Sequence, residues 1–262
     1  MSDLTDIIKR NNLWFDERTL SEIYGTEYFG LLLYSLVRME RPNNIIEIGS
    51  GFGCASTLLG QALKENKKGK LWSIDNQKDW PYIKKQLEKI KEKHDTYEDY
   101  FNYLLNKFEL QNYVFYQNIN FDFKNQNTFF NINDPVDILF SDASDSGRNG
   151  CIKILSFYLS KMSEYSSIFI DRASTLNNSF LTLEYIVNCF KKGQVPKILL
   201  EEKTEKEIDY LFKFIRKSKF TLIHLAESPE MKFVEHQNST AWLKIEPLDI
   251  IIGNGVINYM ND

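Results

Sequence analysis

The sequence predicts an α/β fold: a doubly wound, mostly parallel seven-stranded sheet that ends in a C-terminal antiparallel hairpin. Three observations lead there. Short apolar runs alternate with helix-length amphipathic stretches over most of the chain, the pattern of neighbouring strands joined by crossover helices. A glycine-rich turn joins the first of these runs to the helix after it. Near the C-terminus two strand-like runs follow one another with no helix-length segment between them. That permits antiparallel pairing, whereas parallel neighbours need a crossover.

The elements follow in order. Residues 44–48 (NIIEI) read as the first buried strand and Cys54 to Lys64 as its helix. Residues 71–75 (LWSID) form the second strand. The lysine-rich stretch Tyr82 to Lys93 follows, with Ile83, Leu87 and Ile90 on one helical stripe and the lysines on the other face. That charge run is explained by solvation and needs no nucleic acid. A helix over Tyr97 to Leu110 precedes strand three at Tyr113 to Gln117; strand four is Val136 to Phe140 and strand five Ser167 to Ile170. Phe180 to Lys191 and Glu205 to Lys217 read as helices, and Phe220 to Leu225 and Ala241 to Ile245 as the hairpin strands. Ahead of all this, two amphipathic segments around Leu4 to Ile8 and Glu27 to Met39 make a helical lead-in.

Composition bounds the function. With 262 residues and 43% hydrophobic side chains the chain can bury a large core. Thirty-two Lys and Arg against 36 Asp and Glu leave a net charge of −4, with no general attraction for phosphate backbones or anionic membranes. Cys54, Cys151 and Cys189 are far apart and form no CxxC or Cys/His spacing, so neither a disulfide framework nor a zinc site is expected. The charged start MSDLTDIIKR lacks an apolar signal core, and no run of roughly 18 apolar residues appears. A cytoplasmic location is the expectation.

The chemistry-bearing signal is Glu47-Ile48-Gly49-Ser50-Gly51-Phe52-Gly53, between strand one and its helix. Alternate glycines let the chain turn sharply and let a ligand approach the backbone, and the next helix offers unpaired N–H groups. Asp75, at the end of strand two and 22 residues beyond Gly53, is placed to accept both hydroxyls of a ribose. The alternative for Asp75 alone is a strand-end turn residue. A nicotinamide-dependent dehydrogenase is the remote rival, but its GxGxxG fingerprint needs glycine at position 54, where this chain has Cys54.

These residues resemble class I S-adenosylmethionine-dependent methyltransferases, with Glu47 to Gly53 matching their first motif and Asp75 their second. Gly49 to Gly53 followed by Ala55-Ser56-Thr57, and Val136 to Asp142 at strand four, are similar to the small-molecule, catechol O-methyltransferase-like branch. The resemblance implies a Rossmann-like domain over residues 42–247, with 1–41 as a helical lead-in or lid and 248–262 as an extension. It implies S-adenosyl-L-methionine as cofactor. Glu47, Gly49, Ser50, Gly51 and Gly53 would lie beside its methionine part, Asp75 would hold the ribose, and Asn120, in the loop after strand three, would pair with adenine. Asn120 can equally be one more residue of an Asn-rich loop.

Ligands of open α/β sheets sit beyond the carboxyl ends of the strands, so the reaction centre is sought after strands four and five. In the metal-dependent relatives, aspartates there and a following Asn bind a cation. Asp142 and Asp171 match the aspartates, but the third position is Arg172, which cannot ligate a metal. No metal is therefore expected. Asp142 is a candidate for both the cofactor site and catalysis. Asp145 stands where the family carries a basic residue, and serves as a base or as a cap for the helix beginning near Asn149. Of the three histidines, His94 is expected to be solvated within the charged helix and His224 to lie in a strand. His236, between the last strands, is the better candidate base.

The expected function is methyl transfer to an oxygen or nitrogen of a small-molecule acceptor in specialised biosynthesis. Trp14, Tyr24, Tyr28 and Phe29 supply either a lid or core. A protein or RNA methyltransferase is an alternative, against which the Asn/Asp-Pro-Pro-aromatic signature is absent after strand four. A cofactor-binding protein without catalysis is another. The expected partner is a small-molecule methyl acceptor, with neither nucleic acid nor membrane, and the sequence leaves room for a homodimer.

Overall fold

The computed structural model describes residues 6, 26–120, 122, 128–142, 150–171, 173, 179–201, 203–226 and 239–248. Among them the elements run α1 (Thr26–Glu40), β1 (Asn44–Ile48), α2 (Cys54–Asn66), β2 (Lys70–Asp75), α3 (Trp80–Lys89), α4 (Tyr97–Lys107), β3 (Val114–Asn118), β4 (Val136–Ser141), α5 (Cys151–Tyr158), β5 (Met162–Ile170), α6 (Ser179–Lys191), α7 (Glu205–Lys217), β6 (Ser218–Ala226) and β7 (Ser239–Pro247). Short 3-10 turns at Leu159–Lys161 and Lys197–Leu199 precede β5 and α7.

The seven strands lie in the order β3-β2-β1-β4-β5-β7-β6. The first five pair in parallel, and β7 runs antiparallel between β5 and β6. This is the doubly wound sheet with a closing hairpin that the alternation of elements predicted. The reversal between β1 and β4 puts the topological switch point at the carboxyl end of β1, where such sheets bind ligands.

Strand periodicity divides the core in two. On β1, Ile45 faces one side, while Ile46 and Ile48 face the other. The first face is covered by α1 to α4 through residues such as Leu33, Leu58, Leu87 and Phe101. The second is covered by α5 to α7 through Leu155, Ile186 and Phe214. Of the N-terminal aromatics, Phe29 is buried against Phe140 and Phe169, with ring centroids 5.5 Å from each. Trp14, Tyr24 and the side chain of Tyr28 lie outside the described residues, as does the segment Leu4 to Ile8 apart from Asp6. α1 is clamped to α2: Asn66 donates to the Val37 carbonyl at 2.7 Å and accepts from Arg38 at 2.8 Å.

Three local readings change. α3 starts two residues earlier and ends four residues earlier than the lysine pattern suggests, because Lys91 takes φ 63° and the chain turns. α4 stops at Lys107, with Phe108 at its C-cap. His94, expected on a solvated helix, follows α3 half-buried, with its ring 5.3 Å from Tyr100 and 5.0 Å from Tyr103. The turn at Lys91 swings the chain back over α4, and so folds His94 against aromatic rings. No described helix is long and apolar enough to cross a membrane.

Candidate functional site

The glycine loop leaves β1 at its carboxyl end and turns into α2. Gly49 still donates to the Ile74 carbonyl at 2.8 Å, extending the ladder with β2 by one bond. Gly53 then donates to Ser50 O at 2.7 Å and closes the turn. Gly51 and Gly53 adopt φ 50° and 76°, left-handed values that L side chains rarely take. At Gly53 a Cβ would also lie 2.7 Å from Leu104 Cδ1, so a side chain there would require the Leu104 side chain of α4 to shift.

Two carboxylates flank this loop. Asp75, at the end of β2, accepts from Ser50 N at 2.9 Å and Gly51 N at 3.3 Å through one oxygen. Its other oxygen accepts from Gln77 N at 2.6 Å. Burial pushes its pKa up, and those three N–H groups oppose the rise. The sequence brackets Asp75 between a ribose ligand and a turn residue. Its geometry includes the turn role, and a carboxylate's four lone-pair positions leave capacity for further donors.

Glu47 is wholly buried. Its Oε2 accepts the hydroxyls of Ser56, from the first turn of α2, and of Ser73, from β2, the latter at 2.6 Å. Ser73 in turn meets the Ser50 hydroxyl at 2.6 Å. Oε1 is buried with no hydrogen-bond partner among the described residues. Burial is the main reason that its pKa is pushed up to about 7; the serine hydroxyls pull it down, and Asp75 adds a smaller upward push. An unpartnered buried acceptor beside a glycine turn is a fit for a cationic group of a ligand, since burying a carboxylate without a partner is expensive.

The other predicted residues are distributed around this point. Asp142 continues β4, its N–H donating to Ile48 O at 2.8 Å, which sets it beside the start of the glycine loop. Asp171 follows on β5, donating to Ser141 O at 2.8 Å and accepting from Thr240 of β7 at 3.0 Å. Asn118 is the register partner of Asp75, and Asn120 lies exposed just past it. Glu47, Gly49, Ser50, Gly51, Gly53, Asp75 and Asp142 thus gather at one edge of the sheet. Asp145, Arg172 and His236 lie outside the described residues. Among the described residues no group of His, Cys, Asp or Glu is arranged to hold a metal ion. A groove of about 700 Å³ opens at the opposite edge of the sheet, beside Glu40, Arg41, Asp137 and Lys244. It contains none of these loop residues, and Asp137 there is engaged by the N–H groups of Asn43 and Asn44.

Four residues escape the sequence reading. Ser56 and Ser73 solvate Glu47, and Tyr97 and Tyr100 of α4 donate to the Gly51 and Phe52 carbonyls at 2.8 Å each. A signal for Ser73 exists, since it is a polar residue inside an apolar strand and needs a buried partner. The tyrosines carry a weaker one, a three-residue spacing that puts both on one helical face.

Residues 46–172 match the family model described as a methyltransferase domain. No curated protein matches the chain in sequence. Among solved structures, the chain is similar to the O-methyltransferase TomG from Streptomyces achromogenes, involved in tomaymycin synthesis and solved with SAM. That likeness has a TM-score of 0.52 at 13% identity, over 92% of this chain and 89% of that one. It is also similar to the O-methyltransferase from Bacillus cereus in complex with SAH, with a TM-score of 0.50 at 13% identity, over 94% and 91% of the two chains. Residues 46–172 thus carry the methyltransferase-domain match, and the chain, with its glycine loop at the switch point of a 3-2-1-4-5-7-6 sheet, has the class I methyltransferase fold.

Proposed function

We propose that this methyltransferase uses S-adenosylmethionine and delivers the methyl group to an oxygen or nitrogen of a small-molecule acceptor. The observation that carries the reading is the pair of carboxylates flanking the glycine loop, Glu47 with its unpartnered Oε1 and Asp75 at the strand end. S-adenosylmethionine matches this pair in chemistry: it has an ammonium and a sulfonium to face a buried carboxylate, and ribose hydroxyls to donate to the second. The two solved O-methyltransferases named above, with SAM and SAH bound, support the choice of cofactor.

When bound, the cofactor supplies an electrophilic methyl group on sulfur. Glu47 and the loop would hold its amino-acid end, Asp75 its ribose, and Asn120 the adenine edge. The acceptor would enter over the ends of β4 and β5, where Asp142 lies beside the loop. Alignment of acceptor and methyl group supplies much of the acceleration in such a displacement. If the acceptor arrives protonated, Asp142, Asp145 or His236 would take the proton.

Calorimetry with S-adenosylmethionine and with NAD tests the cofactor. Binding of the first and none of the second is expected. Asp75→Ala should raise the dissociation constant at least tenfold, since it removes charge-assisted bonds worth about 1.5–3 kcal/mol each. Labelled methyl transfer to a panel of small hydroxyl and amine acceptors then tests the reaction. Tight NAD binding with no heat from S-adenosylmethionine would reverse the assignment.

A further inference from the structure

The glycine loop is gripped from two sides. Asp75 accepts the N–H groups of Ser50 and Gly51 on one side, and on the other Tyr97 and Tyr100 hold the next two carbonyls, of Gly51 and Phe52. Local sterics do not dictate this arrangement. Gly51 has no Cβ, so the peptide between Gly51 and Phe52 can rotate at little cost. In a trans peptide the carbonyl and the following N–H point in opposite directions. Fixing the Gly51 oxygen toward α4 therefore turns the Phe52 N–H away from α4.

We propose that Tyr97 is a positioning residue for cofactor binding: its hydroxyl holds the Gly51 carbonyl toward α4 and so fixes the conformation of the glycine loop against which the cofactor would lie. Tyr100 holds the next carbonyl, that of Phe52, in the same way. This rests on the functional reading above.

The tyrosines are suited to the task. Both rings are fully buried, so their hydroxyls have no water to turn to. Trp80 braces them, with ring centroids 5.9 Å from Tyr97 and 6.1 Å from Tyr100, and Phe101 packs on Tyr97 at 5.8 Å. Burial holds the Tyr97 hydroxyl protonated far above neutral pH, so it donates throughout the working range. The capping box formed by Thr96 and Asp99 pins the first turn of α4, which carries both tyrosines.

The molecule provides its own control. Tyr158 of α5 is an equally buried tyrosine that donates to a backbone carbonyl, that of Phe130, at 3.0 Å, and it lies in the core of the opposite face. Tyr97→Phe, Tyr100→Phe and Tyr158→Phe each delete one hydroxyl and keep the ring. All three should lose a similar few degrees of thermal midpoint. Only the first two should weaken S-adenosylmethionine binding in calorimetry, by about three- to tenfold for one hydrogen bond. In ligand-free protein, amide exchange across Gly51 to Gly53 should quicken in Tyr97→Phe and not in Tyr158→Phe.

An unchanged dissociation constant in Tyr97→Phe, or an equal rise in all three variants, would overturn the proposal. Should Tyr97→Phe not fold, the same comparison between Tyr100→Phe and Tyr158→Phe decides it. A wild-type protein that takes up no S-adenosylmethionine would count against the functional reading instead, and the exchange experiment would still judge the clamp.

Discussion

Glu47 on β1 and Ser73 on β2 are direct register partners, and the serine hydroxyl donates to the buried carboxylate at 2.6 Å. The hydroxyls of Ser73 and Ser56 both donate to its Oε2. The carboxyl group is wholly buried and can carry a proton. Because burial raises the pKa to about 7 from 4.5, the folded protein holds this proton more tightly than the unfolded chain does. The contribution to stability is complete below about pH 4.5 and is lost as pH rises through about 7.

Glu47→Gln keeps the shape and removes the ionisation. Relative to the native protein it should gain stability as pH rises from 5 to 8, by up to about 3 kcal/mol for a shift of this size. Denaturant unfolding at several pH values reads the difference. A gap between the two proteins that does not vary with pH would show that Glu47 is ionised in the fold at all these values.

On the proposed reading, the same carboxylate would make cofactor binding proton-linked. A cationic group brought to Oε1 favours the ionised form and lowers the pKa. At pH 7, where the group is about half protonated, S-adenosylmethionine should release about half a proton per molecule bound. Asp75 and Tyr97 also act on this region, but Tyr97 stays protonated throughout. Titration calorimetry in buffers of different ionisation enthalpy measures the release. Glu47→Gln should abolish it, and an equal release from that variant would place the proton elsewhere.

Gly53 carries two constraints at once, φ 76° and an approach to Leu104. Gly53→Ala should destabilise the protein by about 2 kcal/mol, much of it from the left-handed backbone. In a Leu104→Ala background the penalty should shrink, because the contact disappears and the backbone strain remains. A double-mutant cycle gives the difference; a coupling of zero would mean that the Leu104 side chain simply moves aside.

Turnover, once an acceptor is found, should not need a divalent metal. Asp171 already accepts the Thr240 hydroxyl at 3.0 Å, and Arg172 follows it where a metal-dependent relative would carry a ligand. Excess chelator should leave the rate unchanged. Loss of activity with recovery on adding magnesium would return Asp142 and Asp171 to the role of ligands.

Much of this was legible in the chain. Apolar runs such as Ile45-Ile46 and Leu139-Phe140 have nowhere to go but a sheet covered on both faces, and the glycine loop marks where its first helix begins. Glu47 and Asp75 could be placed at strand ends because strand period and loop length leave little freedom. What the sequence could not decide is which groups meet across elements. Ser73 reaches Glu47 through strand register, and Tyr97 reaches Gly51 from 46 residues away because α4 packs against the loop. Such pairings depend on the relative position of packed elements, a property of the whole sheet and its helices. The sequence by itself determined the type of fold and the place of the glycine loop; only the tertiary structure decided how that loop is held and which carboxylate is buried short of a partner.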